Sequence, residues 1–254
     1  MTMAKVKSLH KVHLSLSQKL HEDLARVISE LRPGERLPTE PVLARQLGVS
    51  RATLREAMRT FETQGLIRRR QGVGTFVVHP PHIMETGLEV LESIETIARR
   101  IGLRVSPGEI KIENRQASEE EAKVLDFQEG EFVTQISRVI MTADRPVAFL
   151  IDILPEKLIA MEELSGDFRG SILDLLLERK DLRLVNSYCE IEAVSASAKV
   201  ARALDIQRGD ALLRFKSYLY DLENHVIDYS FSYFLPGYFR FHVNRGIPQL
   251  NLRR

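Results

Sequence analysis

The chain has 254 residues, room for about two domains, and a net charge of only +1. Its composition, 44% hydrophobic and 28% charged, is typical of a soluble globular protein, and its apolar runs are shorter than the roughly 18 residues of a membrane span. The single cysteine, Cys189, excludes an internal disulfide, and its apolar, strand-like surroundings predict a buried thiol. Residues 1–11 mix Lys and Ser without an apolar core, so we expect no signal peptide and a cytoplasmic protein.

The small net charge hides an uneven distribution along the chain. Residues 1–80 carry 14 Lys and Arg against 7 Asp and Glu, whereas residues 81–254 carry 22 against 28. A basic part joined to an acidic part is typical of a nucleic-acid-binding domain fused to a domain that does not bind nucleic acid. Chance clustering of surface charge explains the asymmetry equally well, so the motifs must decide.

The first 65 residues predict three helices. Leucine and isoleucine at helical spacing mark the first, over 15–31, and a proline–glycine pair ends it. Thr39 is a candidate N-cap for a short second helix. Ser50 is the candidate cap of the third helix, with Thr53 in its first turn. The apolar stripe of this third helix consists of Leu54, Ala57, Met58 and Phe61.

The second and third helices, joined by Gly48-Val49, fit a helix-turn-helix, in which the second helix of the motif enters the major groove of DNA. With the apolar stripe buried, Arg51, Arg55 and Arg59 share another face of the helix. Their mutual repulsion is relieved if they bind phosphates or guanine edges. A solvated helix face is the alternative interpretation.

A basic hairpin follows the third helix. Residues 66–78 predict two short strands with the sequence QGVG at the turn. Arg68 and Arg70 alternate along the first strand, and Gln71 and Gly72 lie at the tip, where glycine permits close approach to a minor groove. Helix, turn, arginine stripe and basic hairpin in this order favour a winged helix-turn-helix.

Five segments of this region resemble the GntR family of bacterial transcriptional regulators: RLPTE (36–40), LGVSR (47–51), TLREA (53–57), QGLI (64–67) and GVGTFV (72–77). Members of that family bind palindromic operators in double-stranded DNA as dimers. The resemblance implies DNA contacts from Arg36, Ser50, Arg51, Arg55, Gln71 and Gly72. The remaining candidates for DNA contacts are Thr53, Arg68 and Arg70.

The second part of the chain predicts an α+β fold. Two prolines at 80–81 break regular structure, so we place the domains and linker at 1–78 (DNA-binding), 79–84 (linker) and 85–254. An apolar repeat predicts a helix over 88–101. Strand patterns follow at 108–115, 131–142, 146–154, 183–194, 210–221 and 226–235. Hairpins without regular β-α-β alternation favour an antiparallel sheet with helices.

A weak internal repeat lies within this second part. LDFQEGE (125–131) is similar to LDIQRGD (204–210), and each follows a predicted helix and precedes a hairpin. The similarity favours a duplicated unit whose two copies pair in one sheet, with a cleft near their junction. The alternative is that units of this kind share turn chemistry without being related.

The second part resembles the HutC subfamily of GntR regulators, whose UTRA effector domain has a chorismate-lyase-like fold. The segments that carry the resemblance are ISRV (136–139), RPVA (145–148), LP (154–155), SIL (171–173) and 220–239. The resemblance implies that this domain binds a small effector, often a phosphosugar or a carboxylate metabolite. It also implies that the effector alters the spacing of the two DNA-binding domains in the dimer.

Arg138 interrupts an apolar strand, where an unpaired guanidinium is costly to bury. It must therefore reach an anion, which is either a ligand or an internal carboxylate such as Asp152 or Asp228. The resemblance implies that Arg138, Ser93 and Ser171 bind the acidic group of the effector. Asp228 keeps the acid of the final hairpin, one methylene shorter than in relatives.

Four positions depart from relatives that bind amino-sugar phosphates. An arginine of those relatives is replaced here by Ile140 and a glutamate by Leu150. Two of their tyrosines are replaced by Leu173 and Phe234. Each replacement would leave a buried sugar hydroxyl without a partner. We therefore expect an anionic effector with one acidic group and a more apolar body than a hexosamine phosphate.

The sequence favours neither an enzyme nor a cofactor-dependent protein. It shows no legible nucleophile–base pair and no spacing of His, Cys or carboxylates typical of a metal site. An RNA-binding or architectural DNA protein without an effector is an alternative that leaves the acidic second domain without a role. We expect a homodimer, because one recognition helix reads few base pairs, and a repressor that its effector releases.

Overall fold

The computed structural model describes residues 16–63, 65–70, 72–78, 84–128, 130–142, 145–159, 164, 168 and 170–245. The chain forms two compact units, Met1–His79 and Pro80–Arg254. The predicted linker, 79–84, overlaps the first strand of the second unit at Met84, and residues 79–83 lie outside the described ranges. Within those ranges, no helix is long and apolar enough to cross a membrane.

The first unit contains three helices that pack around one core. The helices are α1 (Leu16–Ser29), α2 (Glu40–Gln46) and α3 (Arg51–Thr63). Their apolar faces meet at Leu24, Leu43 and Leu54, which are fully buried. The turn between α2 and α3 contains Gly48 with a φ of 66°, a left-handed conformation that glycine adopts without strain. These two helices form the predicted helix-turn-helix.

The predicted hairpin completes the first unit as a wing. It consists of two antiparallel strands, β1 (Ile67–Arg70) and β2 (Gly74–Val77). Because side chains alternate across a strand, Ile67 and its partner Val77 enter the core, whereas Arg68 and Arg70 face solvent. The first unit is therefore a winged helix-turn-helix.

The second unit is built on a six-stranded antiparallel sheet and a separate parallel pair of short strands. The six strands are β4 (Val105–Gln116), β5 (Phe132–Thr142), β6 (Arg145–Pro155), β7 (Leu184–Ser195), β8 (Ala211–Asp221) and β9 (Val226–Phe234). Their order in the sheet is β4-β5-β6-β9-β8-β7. The parallel pair consists of β3 (Met84–Gly87) and β10 (Phe239–His242).

Short helices and a 3-10 turn whose bounds fall within the described residues accompany the sheet. They are α4 (Ile94–Arg100), α5 (Glu119–Leu125), the 3-10 turn Glu156–Leu158, α6 (Ile172–Glu178) and α7 (Ala198–Ala203). Each α-helix begins after a serine whose hydroxyl accepts a backbone N–H, which satisfies one donor of the first turn. The capping serines are Ser93, Ser118, Ser171 and Ser197. The predicted α+β fold class is confirmed.

The sheet consists of two similar halves. The first half is β4-α5-β5-β6 and the second is β7-α7-β8-β9, and the strand order is mirrored about the central β6–β9 pair. In each repeated segment the leucine is followed by an aspartate in the left-handed conformation, Asp126 (φ 55°) and Asp205 (φ 51°). Both the chain order and this turn geometry support the predicted duplication.

The predicted helix over 88–101 is wrong in its first half. The helix begins at Ile94, and Leu88 and Leu91 lie in an exposed segment without regular structure. The reason is that β3 pairs with β10, and a hydrogen bond from the Leu88 N–H to the carbonyl of His242 continues this pairing. A contact between distant parts of the chain thus overrides the local helical pattern.

The predicted burial of Cys189 is wrong as well. Cys189 lies on β7, which forms one edge of the sheet and pairs with β8. An edge strand has no neighbouring strand on its outer side, so its side chains are less completely covered than those of central strands. Cys189 is exposed as a result.

Because Ser118 and Ser197 cap corresponding helices of the two halves, we expect replacement by alanine to cost about 1 kcal/mol at either site. Each hydroxyl accepts a backbone N–H at 3.3 Å. The free energy of unfolding in urea measures the loss, and Ser195→Ala, at an exposed position of β7, is the control with a change near zero. A loss confined to one of the two caps would contradict their equivalence.

Candidate functional site

Helix α3 separates its buried apolar stripe from its arginines, as predicted. Arg51 and Arg55 are exposed. Arg59 differs from the prediction, because it is half-buried and its Nη1 donates to the carboxylate of Glu56 at 3.1 Å. Two of the three predicted arginines therefore reach solvent from this helix.

Ser50 and Thr53 act on each other at the start of α3. The Thr53 N–H donates to the Ser50 hydroxyl oxygen (3.1 Å), and the two hydroxyl oxygens are 2.8 Å apart. The structure thus confirms Ser50 as the cap of α3. Both side chains are exposed, and a hydroxyl that makes one hydrogen bond keeps the capacity for others.

Glu40 links the recognition helix to the wing, a role that the sequence analysis missed. Its carboxylate accepts from Arg55 Nε at 2.6 Å and lies 3.0 Å from Arg69 Nη2. Glu40 is the first residue of α2, and its two partners lie on different elements of the unit. This one carboxylate therefore holds Arg55 in a fixed place relative to β1.

Arg36 lies against the wing. Its backbone forms an isolated antiparallel bridge with Phe76 on β2. Its guanidinium covers the backbone of Gly74 so closely that a side chain at Gly74 would overlap it. The cation is exposed and is therefore presented on the same hairpin as the arginines of β1.

The tip of the wing carries exposed basic side chains. Arg68 and Arg70 are exposed on β1, and the Arg70 guanidinium lies over the Phe76 ring, 5.3 Å from its centre. Gly72 has a φ of 74° at the turn. Gln71, the remaining predicted contact, lies outside the described residues.

The second unit contains a cavity of about 550 Å³ that is bounded by the sheet, α4 and the start of α6. It brings together all four predicted effector residues with four further acids, Glu89, Glu92, Glu95 and Asp152. The polar side chains of this cavity include Ser93, Glu95, Arg138, Asp152, Ser171 and Asp228. Its apolar wall includes Ile97, Leu150, Phe215, Phe234 and Phe241. Both halves of the sheet contribute, in agreement with the predicted cleft at their junction.

Arg138 is almost completely buried and is paired within the protein. Its Nη1 donates to Glu95 Oε1 (2.7 Å) and to the carbonyl of Gly170 (2.8 Å). Its Nη2 lies 3.5 Å from Asp152 Oδ2, while Nε is buried without a hydrogen-bond partner. Of the two predicted alternatives, the structure shows the internal carboxylates, and Glu95 is the one that sequence reasoning missed.

Two strand carboxyls lie beside this cation with altered acidity. Burial raises the pKa of Asp152, against the opposing attraction of Arg138. Burial, and next the repulsion from Asp152, raise the pKa of Asp228 well above its ordinary value. One oxygen of each carboxyl, Asp152 Oδ2 and Asp228 Oδ1, is buried without a hydrogen bond. At the polar end of the cavity, burial thus opposes the ionisation of both strand acids.

The two predicted effector serines connect α4 with α6. Ser93 donates from its hydroxyl to Asp174 Oδ2 (2.8 Å) and accepts the N–H of Thr96 (2.9 Å). Ser171 accepts the N–H of Asp174 at 3.2 Å. In this structure both hydroxyls are thus used for capping, and Asp174 joins the two helix starts.

Among the described residues, no cluster of three or more His, Cys, Asp or Glu side chains is arranged to hold a metal ion. Three carboxyls of the cavity, Glu95, Asp152 and Asp228, are gathered around Arg138 instead.

Comparison with models of known protein families gives two matches. Residues 15–77 match the model of bacterial regulatory proteins, gntR family, and residues 102–240 match the UTRA domain. The chain belongs to the GntR family. This family consists of transcriptional regulators, so this GntR protein is a regulator and not an enzyme.

Individual relatives of this GntR regulator match more than two thirds of the chain. The chain is 31% identical over 191 residues to the HTH-type transcriptional repressor NagR of Bacillus subtilis (strain 168), covering 75% of this chain and 77% of NagR. It is 32% identical over 184 residues to the histidine utilization repressor of Pseudomonas putida, covering 71% of each. The crystal structure of PhnF from Mycobacterium smegmatis has the same fold, with a TM-score of 0.61, 22% identity and coverage of 89% of this chain and 99% of PhnF.

The packing of Arg36 on the wing predicts that Gly74→Ala destabilises the first unit by about 2 kcal/mol. Gly74 has a φ of 140°, which other residues adopt only with strain, and the new methyl group would displace the Arg36 guanidinium. Gly72→Ala is the matched variant, because its φ of 74° is left-handed but its surroundings are open, and we expect a cost of about 1 kcal/mol. Thermal unfolding of both variants measures the difference in stability. Equal losses of stability would show that the Arg36 guanidinium moves aside without cost.

The raised pKa of Asp228 predicts that Asp228→Asn stabilises the protein at neutral pH. A carboxyl with a raised pKa in the folded state binds protons more tightly than in the unfolded state, so its cost to stability grows as pH rises above the ordinary value of 3.8. The free energy of unfolding of the variant should therefore exceed that of the wild type at pH 7, with a gain that shrinks toward pH 4.

Asp181→Asn is the control for this titration, because Arg179 lowers the pKa of the exposed Asp181 carboxyl and the sign is opposite. We expect no gain in stability for this variant at neutral pH. A gain for Asp228→Asn that stays constant between pH 5 and pH 8 would show that the effect is packing and not ionisation.

Proposed function

We propose that this protein is a transcriptional repressor that binds a palindromic operator as a homodimer and is released by a small anionic metabolite. In this proposal, residues 1–78 bind the double-stranded DNA, 79–84 form a linker, and 85–254 bind the effector and form the dimer. The two proposed ligands, operator DNA and a small metabolite, imply a cytoplasmic location. The effector reduces the affinity of the dimer for its operator.

The observation that carries the DNA-binding part is the exposure of Arg51 and Arg55 on α3, with Arg55 fixed next to the basic wing by Glu40. An α-helix fits the major groove, where a guanidinium donates to both acceptors of a guanine. Phosphate contacts from the wing set the register of the helix. Two relatives that cover more than two thirds of the chain are named repressors.

We assign the proposed DNA contacts to three groups of residues. The first group is Arg51 and Arg55 on α3, which reach bases or phosphates. The second group is Ser50 and Thr53 at the start of α3, whose exposed hydroxyls contact phosphates while they cap the helix. The third group is the wing with the cation that lies against it, and its members are Arg36, Arg68, Arg70, Gln71 and Gly72.

The effector part is supported by the cavity of the second unit. Its buried Arg138 has an unpartnered Nε–H, and a buried donor without a partner is costly unless a ligand uses it. We propose that Arg138 binds the acidic group of the effector with help from Ser93 and Ser171, and that Asp228 is a further contact of the effector. The aromatic and aliphatic side chains that line the cavity suit an apolar body.

The test is a fluorescence-anisotropy titration of the full-length protein against the intergenic DNA upstream of its own gene. We expect Arg51→Ala and Arg55→Ala to weaken operator binding by about 10- to 100-fold, the effect of losing one base contact. Arg26→Ala, which removes an exposed arginine from α1, is the matched control and should change affinity less than twofold.

The same titration with pooled anionic metabolites tests the effector part. One pool should weaken binding by the wild-type protein and should have no effect on an Arg138→Gln variant that still binds the operator. Equal losses of operator affinity for Arg26→Ala and Arg51→Ala would show that DNA binding depends only on the overall charge. Binding that no pool changes would refute release by an anion.

A further inference from the structure

The charges at the polar end of the cavity are already balanced without a ligand. Arg138 carries one positive charge, and Glu95, whose oxygen lies 2.7 Å from Nη1, carries one negative charge. Burial opposes the ionisation of Asp152 and Asp228, and any ionised fraction of either carboxyl adds further negative charge beside the same guanidinium. An anion that enters this corner would therefore leave a buried excess of negative charge, which is strongly unfavourable.

Charge balance is restored if one resident carboxylate leaves when the anion arrives. Asp152 and Asp228 lie on central strands of the sheet, where backbone pairing on both sides fixes them. Glu95 lies in the first turn of the short helix α4. The side chain of Glu95 is 17% exposed, against 10% for Asp152 and 5% for Arg138, so it has the shortest way to solvent.

A second partner for the displaced carboxylate is available on the same helix. Arg99 lies four residues after Glu95, the spacing at which side chains of a helix meet. Arg99 is exposed, and both residues border a further cavity of about 470 Å³ on the other side of Arg138. Glu95 can therefore exchange Arg138 for Arg99 without being left unpaired.

We infer that Glu95 is an internal competitor of the effector: its carboxylate occupies Arg138 in the free protein and is displaced when the acidic group of the effector binds. This inference rests on the proposed function, since it assumes that Arg138 is where the effector anion binds. Glu95 thereby sets how strongly an anion must bind in order to be sensed. A weakly bound anion cannot displace the Glu95 carboxylate from Arg138, so common anions of the cell do not occupy the site.

The exchange also changes how α4 is held. In the free protein α4 is attached to the sheet through the Glu95–Arg138 pair and to α6 through the hydrogen bond of Ser93 with Asp174. α4 is the first helix after the boundary between the two units at His79. Loss of the first attachment therefore loosens the helix that follows β3, close in sequence to the DNA-binding unit.

Inorganic phosphate is the probe, and the thermal unfolding of the full-length protein is the readout. We expect Glu95→Gln to lower the phosphate concentration that gives a half-maximal rise in Tm by about tenfold relative to the wild type, at constant ionic strength set with potassium chloride. The side chain in Glu95→Asp is one methylene too short for the 2.7 Å contact, so its half-maximal phosphate concentration should lie between those of Glu95→Gln and the wild type. This variant replaces Glu95→Gln in the test if Glu95→Gln folds poorly.

Two controls separate the competitor from a general charge effect. Glu92→Gln removes another carboxylate of the same cavity, one that pairs with Arg100, and should behave like the wild type. The double variant Glu95→Gln with Arg138→Gln should lose the phosphate response. A response of Glu95→Gln equal to that of the wild type or of Glu92→Gln would overturn the inference, even where the operator titration succeeds. A gain that persists in the double variant would overturn it too, since the anion would then bind elsewhere.

Discussion

The pairing of β6 with β9 is the constraint on which the second unit depends. It joins two three-stranded halves into one sheet of six strands. The register also decides which side chains reach the cavity, because neighbours alternate between the two faces. A slip of one residue would turn Asp228, Ser230 and Ser232 away from the cavity and bring Tyr229 and Phe231 into it.

The polar corner of that cavity contrasts with the rest of the core. Three buried atoms without hydrogen bonds lie in it: Arg138 Nε, Asp152 Oδ2 and Asp228 Oδ1. Each such atom costs free energy, and selection for stability alone would replace these residues with apolar ones. These three atoms lie together beside an ion pair that can be exchanged, and this arrangement is expected of a ligand-binding site.

The sequence predicted those features that short-range patterns determine. The helical spacing of Leu54 with Met58, the serine cap at Ser50 and the hairpin around Gly72 all depend on neighbours within a few positions, and each is present in the structure. The six strands of the main sheet were legible for the same reason, since alternation of apolar residues is a local signal.

What sequence reasoning missed depends on contacts between distant positions. Glu40 and Glu95 are ordinary acids at helix starts, and only the folded chain brings their partners Arg69 and Arg138 to them. The β3–β10 pair joins segments near opposite ends of the second unit, and no local pattern marks it. Cys189 was misjudged because the sequence does not say which strand lies at the edge of a sheet.

The duplication of the sheet has a consequence for the ligand that the cavity admits. Ser217 follows Leu204 by the same interval as Arg138 follows Leu125, so the two occupy corresponding places in the two halves, and both line the cavity. Two identical halves would offer a ligand two equivalent orientations. Because one place holds a guanidinium and the other a small hydroxyl, the symmetry is broken, and an acid in this cavity would meet this guanidinium only on the side of the first half.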